Sequence, residues 1–469
     1  MESAADRSLR GRRPWIPLIC ILVMSGGCQS SGVFDEIQMR ERRLFGDAAA
    51  RPVDRMAEGE QQSESRPSAP EVKEGEPDLT AYLRFGLVYN AGLRSVFDSW
   101  RASMERIPQV TALPDPRFTF SQFVEKVETR TGPQQNTFAL SQTLPWFGRL
   151  DARGNVQAEE GERLWAKVVG HALLVEKEIR SAYFEYAWLA EAIRITNDNL
   201  TLLKRLEPVI QRKVQGGQMQ GDLIRLQVEI GKLENELETL QKFRIPLSSR
   251  MRAAMNWQGA EVLAWPRPPK TEERLFDASE LRKHLIQDNP DLLALRREID
   301  KQVARVELAE LDGYPDLTLG VKYIATGEAR MSGVSGSGDD PLLFSVSMNL
   351  PIWRQKYAAA VREASAARSA AVSALGQKQN DLIFILDQSA YRLDDARRQI
   401  GLYRDSLLPR ARQALQVTEV SYRGATADFN DLIDSQRVLL AFEKAYHRAV
   451  ADYEQALAAL DALCGGSLR

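Results

Sequence analysis

Apolar and polar residues alternate with a period of two in four short runs of the chain. Phe118 and Phe120 fall on one side of the first, Thr119 and Ser121 on the other. In the second, Phe138, Leu140 and Gln142 alternate with Thr137, Ala139 and Ser141. Leu317, Leu319, Val321 and Tyr323 alternate with Thr318, Gly320 and Lys322, and Phe344, Val346, Met348 and Leu350 with Ser345, Ser347 and Asn349. Such alternation predicts strands with one apolar and one polar face. Each run has about eight to ten residues, the length a tilted strand needs to cross a bilayer. The runs form two pairs. Their connections are polar or glycine-rich, VETRTGPQQN at 127–136 and GEARMSGVSGSGDD at 327–340.

Helical patterns surround the pairs. A helix is predicted from Leu79 to about Ile107, with Pro77 just before it. No proline occurs from Trp146 to Glu207 or from Ile352 to Leu408. Helices through these stretches would reach about 85 to 95 Å, beyond an ordinary globular helix. A second helix follows each. Leu223, Leu226, Ile230, Leu233, Leu237 and Leu240 keep a three-four rhythm, as do Leu439, Phe442, Tyr446, Ala449, Tyr453, Ala456, Leu460 and Leu463. A seven-residue period predicts left-handed coiled-coil packing. Gly216 and Gly217 divide the first pair of long helices and Gly424 the second, so these read as hairpin tips.

The unit of helix, strand pair, long helix, tip and long helix is therefore written twice. LSQTLPWFGRL at 140–150 corresponds to MNLPIWRQKY at 348–357, and DLIRLQ at 222–227 to DLIDSQ at 431–436. Pro145 and Pro351 suit the first helical position, where proline sacrifices no hydrogen bond. Trp146, Phe147 and Trp353 beside them suit a membrane–water boundary, where amphipathic aromatics are favoured. We divide the chain into residues 1–27, a lipoprotein signal; 28–77, a lipid-anchored tether; 78–270 and 271–464, the two repeats; and 465–469, a tail.

The division of the N-terminus rests on charge and composition. Arg7, Arg10, Arg12 and Arg13 precede the apolar core IPLICILVM, and SGGC follows, ending at Cys28. That is the order of a bacterial secretory signal with a lipoprotein cleavage box, so Cys28 is the expected acylation site. Ser25 stands where leucine is usual, and an ordinary signal peptide with an incidental cysteine is the alternative. Gln29, rather than Asp, resembles outer-membrane sorting. Residues 46–77 are rich in Glu, Pro, Ser, Arg and Gly and read as a flexible tether.

Bulk properties exclude several classes. A chain of 469 residues is long enough for one large or two similar units. A formal charge of −2 offers nothing to a nucleic acid or other polyanion. A hydrophobic content of 44% is ordinary for a globular chain, and past the N-terminus no apolar run is long enough for a spanning helix. With Cys20 lost in the signal, Cys464 is alone; His171, His284 and His447 stand at no ligand spacing. No metal site, cofactor site, nucleophile–base set or phosphate loop is expected, so neither is an enzyme.

Amphipathic strands without a spanning helix enter a membrane only as a closed barrel, because an open edge leaves backbone groups unsatisfied in lipid. Four strands are too few, since such barrels need about eight. Several copies must then share one barrel, with the polar faces lining its lumen and the long helices extending it. The alternative is a soluble αβ protein with the tryptophans in its core.

From about residue 78 to 464 the chain resembles the TolC-like outer-membrane efflux proteins. SQTLPWFGRL and NLPIWRQKY look like that family's strand-to-helix junctions, and SYRGATADFNDLIDSQRVLL at 421–440 like its second hairpin tip. The Trp-Phe-Gly junction with a lipid-anchored start is most similar to the CusC and CzcC branch, associated with heavy-metal efflux. The resemblance implies a mainly α fold with a membrane β-barrel. Three protomers give four strands each to a 12-stranded outer-membrane barrel, and their helical hairpins form a periplasmic α-barrel. It implies as partners a periplasmic adaptor (membrane fusion) protein and an inner-membrane RND-type pump, with neither catalysis nor cofactor. The implied location is the outer membrane of a Gram-negative bacterium, with a large periplasmic portion. The implied role is passive conduction of substrates such as heavy-metal cations or drugs to the exterior. A type I secretion channel shares the fold, and a lipid-anchored periplasmic coiled-coil scaffold is the third reading.

In that family, aspartates near the second tip narrow the periplasmic end into a gate. Asp431 and Asp434 match them here, and Asp428 lies one turn nearer the tip. A three-residue spacing places Asp431 and Asp434 on one helix face, and three copies would form carboxylate rings that attract cations. The alternative is a solvated acidic face near a helix start. Arg225 occupies the place of Asp434 in the first repeat and offers one of the aspartates a partner that would hold the tip shut. Gly216, Gly217 and Gly424 match the tips that meet the adaptor.

Overall fold

The computed structural model describes residues 30–46, 78–215, 220–259, 263–266, 274–424 and 426–468. Cys28, Gly216 and Gly217 lie outside these residues, as do the signal and most of the tether. Helix α1 spans Ser30–Phe45, α2 Asp78–Tyr89, α3 Ala91–Met104 and α4 Ile107–Thr111. Strands β1 (Arg117–Thr129) and β2 (Gly132–Leu144) follow, then helices α5 (Arg149–Gln215) and α6 (Gly221–Met255). Helices α7 (Ala278–Asp288) and α8 (Pro290–Leu311) lead into β3 (Leu317–Thr326) and β4 (Leu342–Met348). Helix α9 (Arg354–Leu402) runs through a π turn at Tyr403–Leu407 into α10 (Leu408–Arg423), and α11 (Phe429–Leu463) closes the order.

Helix α5 has 67 residues, which at ~1.5 Å each is about 100 Å. Helices α6 and α11, second in their hairpins, have 35 residues each. No helix among the described residues is long and apolar enough to cross a membrane.

The single helix expected over Leu79–Ile107 is instead two, α2 and α3, with α4 beginning at Ile107. Asn90 adopts φ −63° and ψ 118°, and its side chain accepts from the Leu93 N–H, ending α2 and capping α3. Its amide also donates to the Ala254 carbonyl at 2.8 Å, so the break is tied to the end of α6. Helix α1 packs on this layer. Ile37 is fully buried, and the Arg40 guanidinium lies 5.4 and 4.8 Å from the ring centroids of Trp100 and Trp165.

Three apolar cores succeed one another. The first gathers α1, α2 and α3 on α5 around Phe97, Trp100, Val175 and Ile179. Leu281, Leu285, Leu386, Leu393, Tyr453 and Leu460 form the second, where α7, α9 and α11 meet. Toward the tips, Leu203 and Ile210 of α5, Leu226 and Ile230 of α6, and Phe429 and Leu432 of α11 form the third. Leu226, Ile230, Leu233, Ala449, Tyr453, Ala456 and Leu460, all from the two heptad rows, are buried as that pattern requires.

Helix α9 does not stop at Leu408. The Leu408 N–H donates to the Tyr403 carbonyl, a π-type bond that inserts one extra residue ahead of Pro409. The helix thus carries a proline without ending at it.

Candidate channel wall, junctions and tip

The four strands form one antiparallel sheet in the order β1-β2-β3-β4, so β2–β3 pairing joins the two halves of the chain. Its register sorts the side chains. Phe118, Leu140, Val321 and Phe344 stand in one row across the sheet, and Phe120, Phe138, Tyr323 and Leu342 in another on the same face. Ring centroids are 5.2 Å apart for Phe120–Phe138 and 6.3 Å for Phe138–Tyr323. The opposite face carries the rows Arg117, Ser141, Gly320, Ser345 and Thr143, Thr318, Ser347. Within the chain the apolar face is uncovered, with Phe344 76% and Val346 68% exposed. Outer strands β1 and β4 each pair on one side only. An uncovered apolar face between two open edges leaves the sheet unsatisfied within the single chain, as a strand set awaiting closure by other copies would be.

Strands β1 and β2 are longer than the alternation suggested. They extend through the polar segment 127–136 and meet at Arg130–Thr131, with Thr129 opposite Gly132. Gly132 has φ +132°, and a Cβ there would lie 1.7 Å from the Gly327 carbonyl oxygen. The polarity that suggested a loop thus belongs to a strand end close against the next connection.

Both junctions connect strand to helix, but neither proline is a first helical residue. Pro145 precedes α5 by four positions and Pro351 precedes α9 by three. After Pro145 the chain must turn before it can coil. Gly148 makes that turn at φ +78°, open to glycine, whereas Trp353 turns at φ −82° and ψ 66° without one. This accounts for glycine in one copy and arginine in the other. Trp146 stacks on Tyr314, with centroids 5.0 Å apart and planes 13° apart. Phe147 and Trp353 are largely exposed.

Arg149, which no periodicity singles out, fastens the first junction. Only 5% of its side chain is exposed. It pairs with Asp316 and donates to the carbonyls of Leu311 and Tyr314, both at 2.7 Å. Asp316 also accepts from the Trp146 N–H at 3.0 Å, and Asn349 accepts from the Asp316 N–H. One arginine thus ties the start of α5 to the α8–β3 connection.

At the second tip, Asp428 caps α11 and forms a capping box with Asp431. The Asp428 N–H donates to Asp431 at 3.2 Å, and the Asp428 side chain accepts from the Phe429 N–H at 2.6 Å. Their spacing in the sequence already fitted this structural job. Asp434 is exposed and pairs with Arg437 at 3.0 Å. Arg437 reaches across to Glu229 of α6, which Lys232 also contacts at 2.8 Å. The hydrogen bond from Arg437 holds the Glu229 carboxyl below the usual range. Among the described residues Arg225 does not meet an aspartate: it donates to Asn430 at 2.9 Å, because Asp428 and Asp431 are turned onto the helix start. Gly424 has φ −80°, and a Cβ there would meet only ordinary contacts, so this turn does not demand glycine. No group of three or more His, Cys, Asp and Glu among the described residues is placed to hold a metal ion.

An uncovered apolar sheet face continuous with long helical hairpins is an arrangement that suits a tubular membrane channel. Residues 281–466 match the family described as outer membrane efflux protein. The chain is 22% identical over 409 residues to the cobalt-zinc-cadmium resistance protein CzcC of Cupriavidus metallidurans, covering 85% of this chain and 92% of that one. It is 22% identical over 413 residues to nodulation protein T of Rhizobium leguminosarum bv. trifolii, covering 83% and 86%. The CusC channel shares the fold, with a TM-score of 0.70 at 13% identity over 86% of this chain and 97% of that one. Over residues 281–466 the chain is thus similar to the outer membrane efflux proteins, and over most of its length it has the fold of the CusC channel.

Proposed function

We propose that three copies of this chain close a 12-stranded outer-membrane barrel, continued by a helical tube into the periplasm. The tube conducts solutes passively to the exterior as the outer component of a tripartite efflux system. A periplasmic adaptor meets the tips at Gly216, Gly217 and Gly424, and an RND-type pump supplies the energy. Heavy-metal cations are the favoured cargo, on the strength of the likeness to a cobalt-zinc-cadmium resistance protein. Acylation at Cys28 anchors the chain, two residues before α1.

The observation that carries this reading is the register of the sheet, which puts the apolar rows on one face and the polar rows on the other. A periplasmic scaffold has no use for that face. Asp431 and Asp434, with Asp428, are the proposed acidic constriction at the periplasmic end. In planar bilayers the purified protein should form discrete channels, and Asp431→Ala with Asp434→Ala should raise single-channel conductance. Unchanged conductance and selectivity would remove the gate assignment, and failure of the wild type to form channels would remove the function. Deletion followed by a panel of metal salts and drugs separates small-solute efflux from polypeptide secretion.

A further inference from the structure

The polar face of the sheet is not neutral. Arg117 heads β1 in the same row as Ser141, Gly320 and Ser345. Lys322 sits mid-strand on β3, in the row of Thr119, Ala139 and Leu343. The rows are two residues apart, which is about 7 Å along the strands. Across the paired positions of this face between the register shifts and the junctions, the other side chains are Thr, Ser, Ala, Gly, Leu and Ile, with no carboxylate. Neither Arg117 nor Lys322 has an acidic partner among the described residues.

We infer that Lys322, supported by Arg117, sets the charge selectivity of the barrel and makes its lumen an anion-favouring section in series with the acidic tip. This rests on the channel reading, in which the polar face lines the lumen. Copies of the two side chains from each protomer would give stacked rings of positive charge closer together than the ~10 Å screening length at 0.1 M salt. Charged rings select ions by sign where walls are close and dielectric is low. The two ends of the tube then carry opposite charge. Cations gather at the periplasmic tip, anions gather in the barrel, and a multivalent metal ion leaves the barrel accompanied by its counter-anions. In symmetric dilute salt such a tube passes more current with the periplasmic side positive, when each ion enters from the end that attracts it.

The test uses the full-length lipidated protein in planar bilayers with potassium chloride. In a Asp431→Asn, Asp434→Asn background, the reversal potential in a salt gradient should report anion preference. Lys322→Glu should move it to cation preference, Lys322→Gln should fall between, and Lys322→Arg should leave it unchanged. The asymmetry of the wild-type current should vanish with Lys322→Glu, and also for the wild type in 1 M salt, where screening shortens to ~3 Å. Lys322→Cys should react with water-soluble methanethiosulfonates, a negatively charged adduct shifting selectivity toward cations, whereas Val321→Cys on the apolar face should not react. This arm decides the matter even if Lys322→Glu fails to assemble. Conducting channels whose reversal potential ignores the charge at position 322 would overturn the inference while leaving the channel reading intact.

Discussion

At the scale of single residues, the side chains that hold the shape are salt-linked ones that no sequence pattern announced. Arg149 is buried at the first junction, and removing it strands Asp316 and two carbonyls. Arg149→Met should cost on the order of 3 kcal/mol. The cost should appear as a lower melting temperature of the assembled protein, with strands still in the membrane fraction. Glu160 binds Arg163 of its own helix α5 at 2.6 Å and Lys301 of α8 at 3.0 Å. Burial pushes its carboxyl up, but those hydrogen bonds outweigh the burial and bring it down from 4.5 to about 2. Its ionised form is therefore favoured by folding. The stabilisation is complete above about pH 4.5 and is lost as pH falls toward 2. Thermal unfolding should show that acid dependence, and Glu160→Gln should lower stability near neutrality while flattening the curve between pH 5 and 2.

Among the elements, the long helices owe their lengths to heptad packing and their interruptions to individual residues. Pro409 lies two residues past the π turn, whose extra residue relieves the clash a proline ring makes with the preceding turn. Deleting Asp405 should restore a regular helix and force Pro409 into its interior, at about 3 kcal/mol. Adding Pro409→Ala to the deletion should recover the loss, since downstream residues keep their faces. Thermal unfolding of the two variants checks this, and equal stability would mean the π turn has another cause. Much at this scale was legible. Leu226, Ile230, Tyr453 and Leu460 are buried where the three-four rhythm placed them. The break at Asn90 was not, because an asparagine between two helical patterns caps only when its backbone turns, and here Ala254 rewards that turn.

For the whole molecule, the decisive property of the proposed barrel is which face of the sheet would meet lipid. A lysine on the lipid face of a barrel at mid-depth costs roughly 2–4 kcal/mol, and much less in the lumen. Phe344→Lys should therefore deplete the protein from the outer-membrane fraction, while the adjacent Ser345→Lys should be tolerated. Equal behaviour of the two, measured by fractionation and heat-modifiable mobility, would contradict the sidedness of the sheet. The same sidedness makes the difference between a metal-efflux channel and a periplasmic scaffold, since both need the coiled coils and only one needs the strands.

Local periodicity determined a great deal by itself. Period two marked the strands and their faces, period seven the coiled coils, and the repeated Leu-Pro-aromatic phrase the two junctions. These are properties of a backbone that alternates or coils whatever surrounds it. Contacts distant in sequence decided the rest. Only the fold gave Arg225 to Asn430 and Arg437 to Glu229, and drew strand from a polar segment by laying it beside Gly327. It also brought Arg149 against Asp316, 167 residues away, because an ion pair needs only two charges brought together and leaves no periodic trace in the chain.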